Sequence, residues 1–404
     1  MMIWTLIHLA DLLLWLFLAG SVAYVVLFAI ASLFRRKRRR VIPQPSSQSR
    51  FLVLIPAYHE DKVILNTVET FLRQDYPPSK MQTVVISDHM SPATNARLSA
   101  LPITLLQPAF EKSSKAKALQ YAMKEVRGES LEVRGERPET GKEGFDFVVI
   151  LDADNVVAPD FLSRLNAVCQ QGWQAIQCHR TAKNSDNDIA ALDGLSEEIN
   201  NTLFRRAHNN IGLSSALIGS GMCFSYEWFR RNVGQLSSAV EDRELEALLA
   251  RQRIYVRYEE DLHVMDEKVS SQDNFQRQRL RWMTGQVQTL LLMLPYLPKA
   301  VVSLNLDYID KTLQQMLIPR SILLVALPCL SVLMTLLAPV WSIKWWCLTA
   351  AFCLALLIAI PSRLRSQALA GKIVMLIKLV WRMVKNLVHI DRKDQEFIHT
   401  THDK

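Results

Sequence analysis

The sequence predicts an α/β fold: a mostly parallel sheet with flanking helices, joined to transmembrane and interfacial helices. Three observations lead there. Between residues 51 and 290, short runs rich in Val, Ile and Leu alternate with segments of helical spacing, the pattern of strands linked by crossover helices. Several of those runs stop at polar, acid-bearing turns, and open α/β sheets bind ligands at the carboxyl ends of their strands. Long runs nearly free of charge stand on either side.

The first of these, Leu12 to Phe34, is uncharged, and about 20 apolar residues suffice to cross a bilayer core. The cluster Arg35-Arg36-Lys37-Arg38-Arg39-Arg40 follows it. A cleaved leader carries its positive charge before the apolar core, not after. The order therefore predicts a transmembrane helix within 1–34, its N-terminus outside and the chain from residue 35 in the cytoplasm. The cluster supplies much of the net charge of +8. Without interleaved aromatics it reads as a membrane flank, not as a nucleic-acid site. Residues 35–50, with Pro43, Pro45 and several serines, form a basic linker.

The α/β domain is expected over 51–290. Strands are predicted at Phe51–Ile55, stopping at Pro56, at Thr83–Ile86, stopping at Ser87-Asp88, and at Ile103–Leu106, Phe147–Leu151, Trp173–Cys178 and Ile254–Val256. Helical spacing covers Lys62–Gln74, Lys115–Val126, a stretch from about Asp160, Asp188–Asn209, Val240–Leu249 and Gln272–Leu292. Gly128–Gly144 is charged and almost without apolar residues, so it reads as a surface loop. Gly219-Ser220-Gly221-Met222 is a tight turn of small residues.

Asp152 and Asp154 end the fourth strand. Residues i and i+2 of a strand share a face, so two carboxylates are expected to converge at the sheet edge, where Mg²⁺ or Mn²⁺ would neutralise them. Alone, the pair reads equally well as an Asp-rich turn or helix cap. Glu241 and Asp242 open a helix and could simply complement its dipole. The six cysteines, Cys169, Cys178, Cys223, Cys329, Cys347 and Cys353, include no CxxC pair and read as free thiols in a reducing compartment. His59, His89 and His179 lack metal-ligand spacing and receive no role.

Beyond the domain, 291–320 is expected to form interfacial helices and 321–362 two transmembrane helices. The spans are Ser321–Val340 and Trp346–Ile360, with Trp341, Trp345 and Trp346 bracketing a short turn at the membrane interface. Arg363 and Arg365 mark the cytoplasmic side again. Residues 363–404 form a basic amphipathic tail in which Lys372–Ile390 suits a helix lying on the membrane.

In chain order, Pro56-Ala57-Tyr58-His59-Glu60, Asp88, Lys115, Asp152-Ala153-Asp154, Gly219 to Met222, Glu241-Asp242 and Gln278-Arg279-Leu280-Arg281-Trp282, followed by membrane spans, resemble the family-2 glycosyltransferases. The likeness is to their membrane-embedded branch with cellulose, chitin and hyaluronan synthases. It covers roughly residues 50–290 and implies a GT-A-type fold that takes a nucleotide sugar, a UDP-sugar by this resemblance. Pro56, Ala57, Tyr58 and Glu60 would line the nucleotide pocket and Asp88 would bond the uracil. Lys115 and Asp152 would contact the donor, and Asp154 would bind Mg²⁺ or Mn²⁺. Asp242 would be the catalytic base, with Glu241 orienting it or capping its helix. Gly221, Gln278, Arg281 and Trp282 would hold the diphosphate and the acceptor end. The sequence departs from the family pattern at Ser87, Ser114 and Gln120.

The implied reaction is inverting transfer to a growing polysaccharide, forming a β-glycosidic bond, by an integral protein of the bacterial cytoplasmic membrane with its catalytic domain in the cytoplasm. The implied partners are the nucleotide-sugar donor, a glycan or lipid-linked acceptor, the lipid bilayer and a second copy or export partner; nucleic acid is not among them. Single transfer to a lipid-linked acceptor and an inactive membrane scaffold are the alternatives.

Overall fold

A computed structural model describes residues 2–34, 47–132, 144–184, 188–238, 240–268, 272–362 and 364. The described residues divide into two compact units.

One unit lies within Lys37–Gly194 and Leu213–Thr312 and is built on a single eight-stranded sheet. Its strands are β1 (Phe51–Tyr58), β2 (Met81–Asp88), β3 (Thr104–Leu106), β4 (Phe147–Ile150), β5 (Val156–Val157), β6 (Ala175–Ala182), β7 (Met222–Ser225) and β8 (Val256–Asp266). They lie in the order β3-β2-β1-β4-β7-β6-β8-β5. The half around β1 is parallel, as expected. Beyond β4 the sheet is mixed: β7 runs antiparallel to both β4 and β6, β5 antiparallel to β8, and β6 parallel to β8.

Strand β1 sits between β2 and β4 and is buried on both faces. Phe51, Val53 and Ile55 join one core cluster, and Leu52 and Leu54 the other. That explains its continuous apolar run, the mark of a central parallel strand covered on both sides. The strand continues through Pro56 to Tyr58, past its expected stop. Pairing with β4 ends at Leu54–Ile150 while pairing with β2 goes on to Tyr58–Asp88, so the missing N–H of Pro56 meets no β4 partner.

Other limits also move. The helix expected over Lys62–Gln74 is Ile64–Phe71, and the one from Lys115 runs on to Glu132, into the stretch expected to be loop; residues 133–143 lie outside those described. Strand β8 is eleven residues long, although only Ile254–Val256 was legible. Glu259-Glu260-Asp261 interrupts its apolar pattern, yet the edge-side carboxylates remain partly exposed.

The other unit lies within Met1–Arg36, Leu195–Gly212 and Leu313–Asp394. Three of its helices are long and apolar enough to cross a membrane: Thr5–Ala31, Arg320–Leu337 and Pro339–Ala359. The first is longer than the uncharged run and includes Asp11. That carboxylate is paired with Lys344 and accepts a hydrogen bond from Trp345 Nε1 at 2.9 Å. Trp341, Trp345 and Trp346 lie within the last helix, not in a turn, because Pro339 starts it; proline is pre-organised for a first helical position.

The segment expected as one helix over Asp188–Asn209 runs to Ile211, contains a π-helical stretch over Asn201–Arg206, and is closed by Gly212 at φ 89°. From Leu195 it belongs with the apolar helices. The His208 ring stacks on Phe28 at 3.7 Å and shares a hydrogen bond with Tyr24 Oη at 3.0 Å. Arg320 Nη2 donates to Asn200 Oδ1 at 2.6 Å. The cluster Arg35–Arg40, Arg363, Arg365 and Lys372–Ile390 lie outside the described residues.

Candidate active site

Four chain segments of the sheet unit meet at the carboxyl edge of the central strands. Asp152 and Asp154 do not share a strand face. Strand β4 ends at Ile150, and Asn155 N–H closes a turn on Asp152 O at 3.1 Å. Asp152 takes the ammonium of Lys115 on its Oδ1. Asp154 is buried and accepts from Asn155 Nδ2 and from Glu267 N–H, each at 3.0 Å.

Lys115 begins its helix and reaches three groups: Asp152 Oδ1, Gly219 O at 2.7 Å and Glu241 Oε1 at 3.6 Å. Burial pulls its pKa down, but Asp152 and Glu241 outweigh this and hold it above its ordinary value. Glu241 is buried, and desolvation raises it to about 7, with Lys115 opposing and Asp242 adding. Asp242 accepts Arg243 N–H at 2.9 Å. A Cβ at Gly219 would stand 3.7 Å from both Asp242 Oδ2 and Glu241 Oε1 and 3.8 Å from Lys115 Nζ. The small-residue turn therefore lies between the two acidic pairs.

Both glycines of that turn have positive φ, 78° at Gly219 and 62° at Gly221, and a Cβ at Gly221 would come within 2.9 Å of Val264 Cγ2. Glycine is needed there for conformation and for space. Three residues without an assigned role secure the turn. Fully buried Gln177 donates from Nε2 to Ser220 O at 2.9 Å and accepts Ile218 N–H at 3.0 Å. Ser220 Oγ donates to Asn155 Oδ1, which also takes Asp152 N–H at 2.9 Å. Gln177 had a legible signal, an amide in an apolar strand; Asn155 and Ser220 had only their adjacency to the motifs.

On the β1–β2 side, Tyr58 pairs with Asp88 in register. Asp88 is buried and its Oδ1 is 2.6 Å from His89 Nδ1. His59 and His89 both sit at positive φ, 56° and 55°, and flank the Tyr58 ring. Glu60 is raised to about 8 by burial and then by Asp154, Asp152 and Glu267. Burial is the larger cause; the neighbouring carboxylates add to it by disfavouring a further negative charge. Among the described residues no three His, Cys, Asp or Glu converge as a complete metal cage. Mg²⁺ is typically held by one or two carboxylates and substrate phosphates; Asp154 would be the residue to hold such an ion, with Asp152 nearby.

The helix Gln272–Met293 carries Gln278, Arg281 and Trp282; the side chains of Gln278 and Arg281 lie outside the described residues. Its Gly285 lies against Val240, the residue before Glu241: a Cβ there would fall 2.4 Å from Val240 Cγ1.

The family described as glycosyltransferase like family 2 matches residues 48–285, more than half of the chain. The chain belongs to that family. The match to this glycosyltransferase family spans the whole edge just described. Among solved structures, the mannosyltransferase PcManGT from Pyrobaculum calidifontis, in complex with GDP-Man and Mn²⁺, is similar at a TM-score of 0.50 and 18% identity, covering 86% of this chain and 98% of that one. S. aureus TarS 1-349 in complex with UDP-GlcNAc gives 0.42 at 13% identity, over 84% of this chain and 92% of that one. Glucosyl-3-phosphoglycerate synthase from Mycobacterium tuberculosis, with Mn²⁺, UDP and phosphoglyceric acid, gives 0.41 at 14%, over 63% and 84%. No curated protein matches the chain. The glycosyltransferase domain thus has the GT-A-type fold expected from its motifs.

Proposed function

We propose that this chain is a membrane-integral, inverting glycosyltransferase that moves a sugar from a nucleotide sugar, a UDP-sugar by its motifs, onto a growing polysaccharide. The observation that carries the reading is the junction at Gly219, where the Asp242 carboxylate comes beside the Lys115–Asp152 pair. One acid is available to an acceptor, the other to a donor, across a single turn.

In this reading Pro56, Ala57, Tyr58, Glu60 and Asp88 form the nucleotide pocket. Asp152 contacts the donor, and Asp154 holds Mg²⁺ or Mn²⁺. That ion, when bound, neutralises charge on the departing diphosphate. Lys115 is already engaged by Asp152 and Glu241, so its part is to fix those carboxylates and add positive charge beside the diphosphate. Asp242 removes the proton of the acceptor hydroxyl during attack on the anomeric carbon. Glu241, bonded through Lys115 to the donor side, orients its neighbour. Gly221 shapes the acceptor turn, and Gln278, Arg281 and Trp282 contribute diphosphate and acceptor contacts. One base and no protein nucleophile gives inversion, hence a β-linked product from an α-linked donor.

The three apolar helices support anchorage in a bacterial cytoplasmic membrane, and the basic cluster after residue 34 supports a cytoplasmic catalytic domain. The test is nucleotide release by the full chain against a panel of UDP- and GDP-sugars, with product length read on gels. Long polymer supports processive synthesis; single additions to lipid replace it with the lipid-linked acceptor. Asp242→Asn should bind donor normally and lose turnover by about 10²–10⁴-fold, the usual worth of a general base. Normal turnover by that variant removes the base assignment, and turnover with no sugar tried favours the scaffold.

A further inference from the structure

The helix Glu241–Arg251 places Asp242 at its start and Arg251 at its end. Arg251, Arg253 and Lys299 line one cavity of about 500 Å³, with Tyr296 and Tyr308 in its wall. The Arg251 guanidinium lies 5.1 Å over the Tyr296 ring, and Arg253 Nη2 donates to Ser303 O. Among the described residues none of the three cations has a carboxylate partner. A helix C-terminus accounts for Arg251. It does not account for Arg253, beyond the helix at φ 59°, or for Lys299 on another helix.

Beside the cavity is a corner between the helices Leu297–Val302 and Leu306–Met316. It turns Val302 and Leu304 outward, 87% and 74% exposed. Leu304 has φ 50°, uncommon for a bulky side chain. The corner is nonetheless fixed. Buried Asn305 donates from Nδ2 to Ala250 O at 2.8 Å, accepts Tyr308 N–H at 3.2 Å, and gives its own N–H to Ala300 O at 2.8 Å. Exposed aliphatics on a braced corner, next to cations that have no carboxylate partner among the described residues, combine the two attractions of an anionic membrane surface. Residues 317–319 alone separate the helix ending at Met316 from the apolar helix starting at Arg320; three extended residues reach at most about 11 Å.

We propose that this cavity seats the headgroup of an anionic phospholipid while Val302 and Leu304 enter the acyl boundary of the same bilayer. The proposal rests on the membrane anchorage of the preceding section and not on the transfer reaction. Its occupant follows from charge complementarity and from the short tether to an apolar helix. The base and the lipid site then share one helix about 16 Å long.

The test uses the full chain in nanodiscs of phosphatidylcholine with increasing phosphatidylglycerol, read by hydrogen exchange of peptides spanning 296–306. Protection should rise with phosphatidylglycerol. In Arg251→Gln/Arg253→Gln/Lys299→Gln the dependence should vanish. Lys299→Gln alone changes one exposed side chain and guards against misfolding of the triple variant. It should raise the phosphatidylglycerol fraction for half-protection about fivefold, the equivalent of the roughly 1 kcal/mol gained per cation near an anionic surface. Equal exchange in all discs, unchanged dependence in either variant, or the same protection from inorganic phosphate in pure phosphatidylcholine would overturn the proposal. Co-elution with the discs reports anchorage separately, so failure to insert is not confused with failure to select the lipid.

Discussion

Replacing Gly285 by alanine probes how the helix Gln272–Met293 is set against the proposed base. The added Cβ would stand 2.4 Å from Val240 Cγ1 and 3.1 Å from Cγ2. Carbon atoms rest about 3.5–4.0 Å apart, so the two backbones must separate by roughly 1 Å. Val240 cannot easily turn aside, because branching at Cβ restricts χ1. Overpacking of this kind costs about 1–3 kcal/mol, and removing a helical glycine returns about 1 kcal/mol. The net loss of stability is therefore about 0–2 kcal/mol. Turnover is the more sensitive readout, since a 1 Å misplacement of reacting groups costs on the order of 10²-fold. The expected signature is a large fall in nucleotide release with a small fall in the unfolding midpoint. Val240→Ala removes both methyl groups and leaves a Cβ contact of 3.2 Å, which a shift of a few tenths of an ångström relieves. The double variant should recover turnover to near that of Val240→Ala alone. Full turnover in Gly285→Ala, or no recovery in the double variant, would refute the packing argument.

Other outcomes follow from the same geometry. Asp154→Ala should abolish metal-dependent nucleotide binding, measured by calorimetry with and without chelator; unchanged binding removes the metal role. Gln177→Leu should leave buried loop groups unpaired, at about 1–3 kcal/mol each, with turnover dropping more than donor affinity; a fall in affinity alone would place the loop on the wrong substrate. Glu60 and Glu241, raised to about 8 and about 7, bind protons more tightly folded than unfolded. Their stabilisation is present at acid pH and is lost as pH rises from about 4.5 through those values. The unfolding midpoint should therefore fall between pH 5 and pH 8, less so in Glu241→Gln; a midpoint that rises across that interval contradicts the burial of these acids.

The central parallel strands were legible because burial on both faces leaves unbroken apolar runs, as in Phe51–Ile55. The candidate site was legible as a set of residue types, since Asp152, Asp154, Glu241 and Asp242 stand at element ends where charge is otherwise expensive. Their arrangement was not. A strand-based i, i+2 rule failed at Asp152 and Asp154 because the chain turns after Ile150. The long β8 was masked by Glu259-Glu260-Asp261, whose charge says nothing of pairing. Gln177, Ser220 and Asn155 act through hydrogen bonds between segments far apart in sequence, and periodicity carries no record of such partners.

The stacking of His208 on Phe28 has a consequence for how the protein can be made. Tyr24 and His208 are 184 residues apart in sequence, so the first apolar helix leaves the ribosome long before its histidine partner exists. Cutting the chain after the basic linker and before Leu313, the obvious route to a soluble enzyme, would strip His208 of Tyr24 and Phe28 and Asn200 of Arg320. The stretch Leu195–Gly212 would then expose a face meant for the apolar helices, inside an otherwise intact catalytic chain.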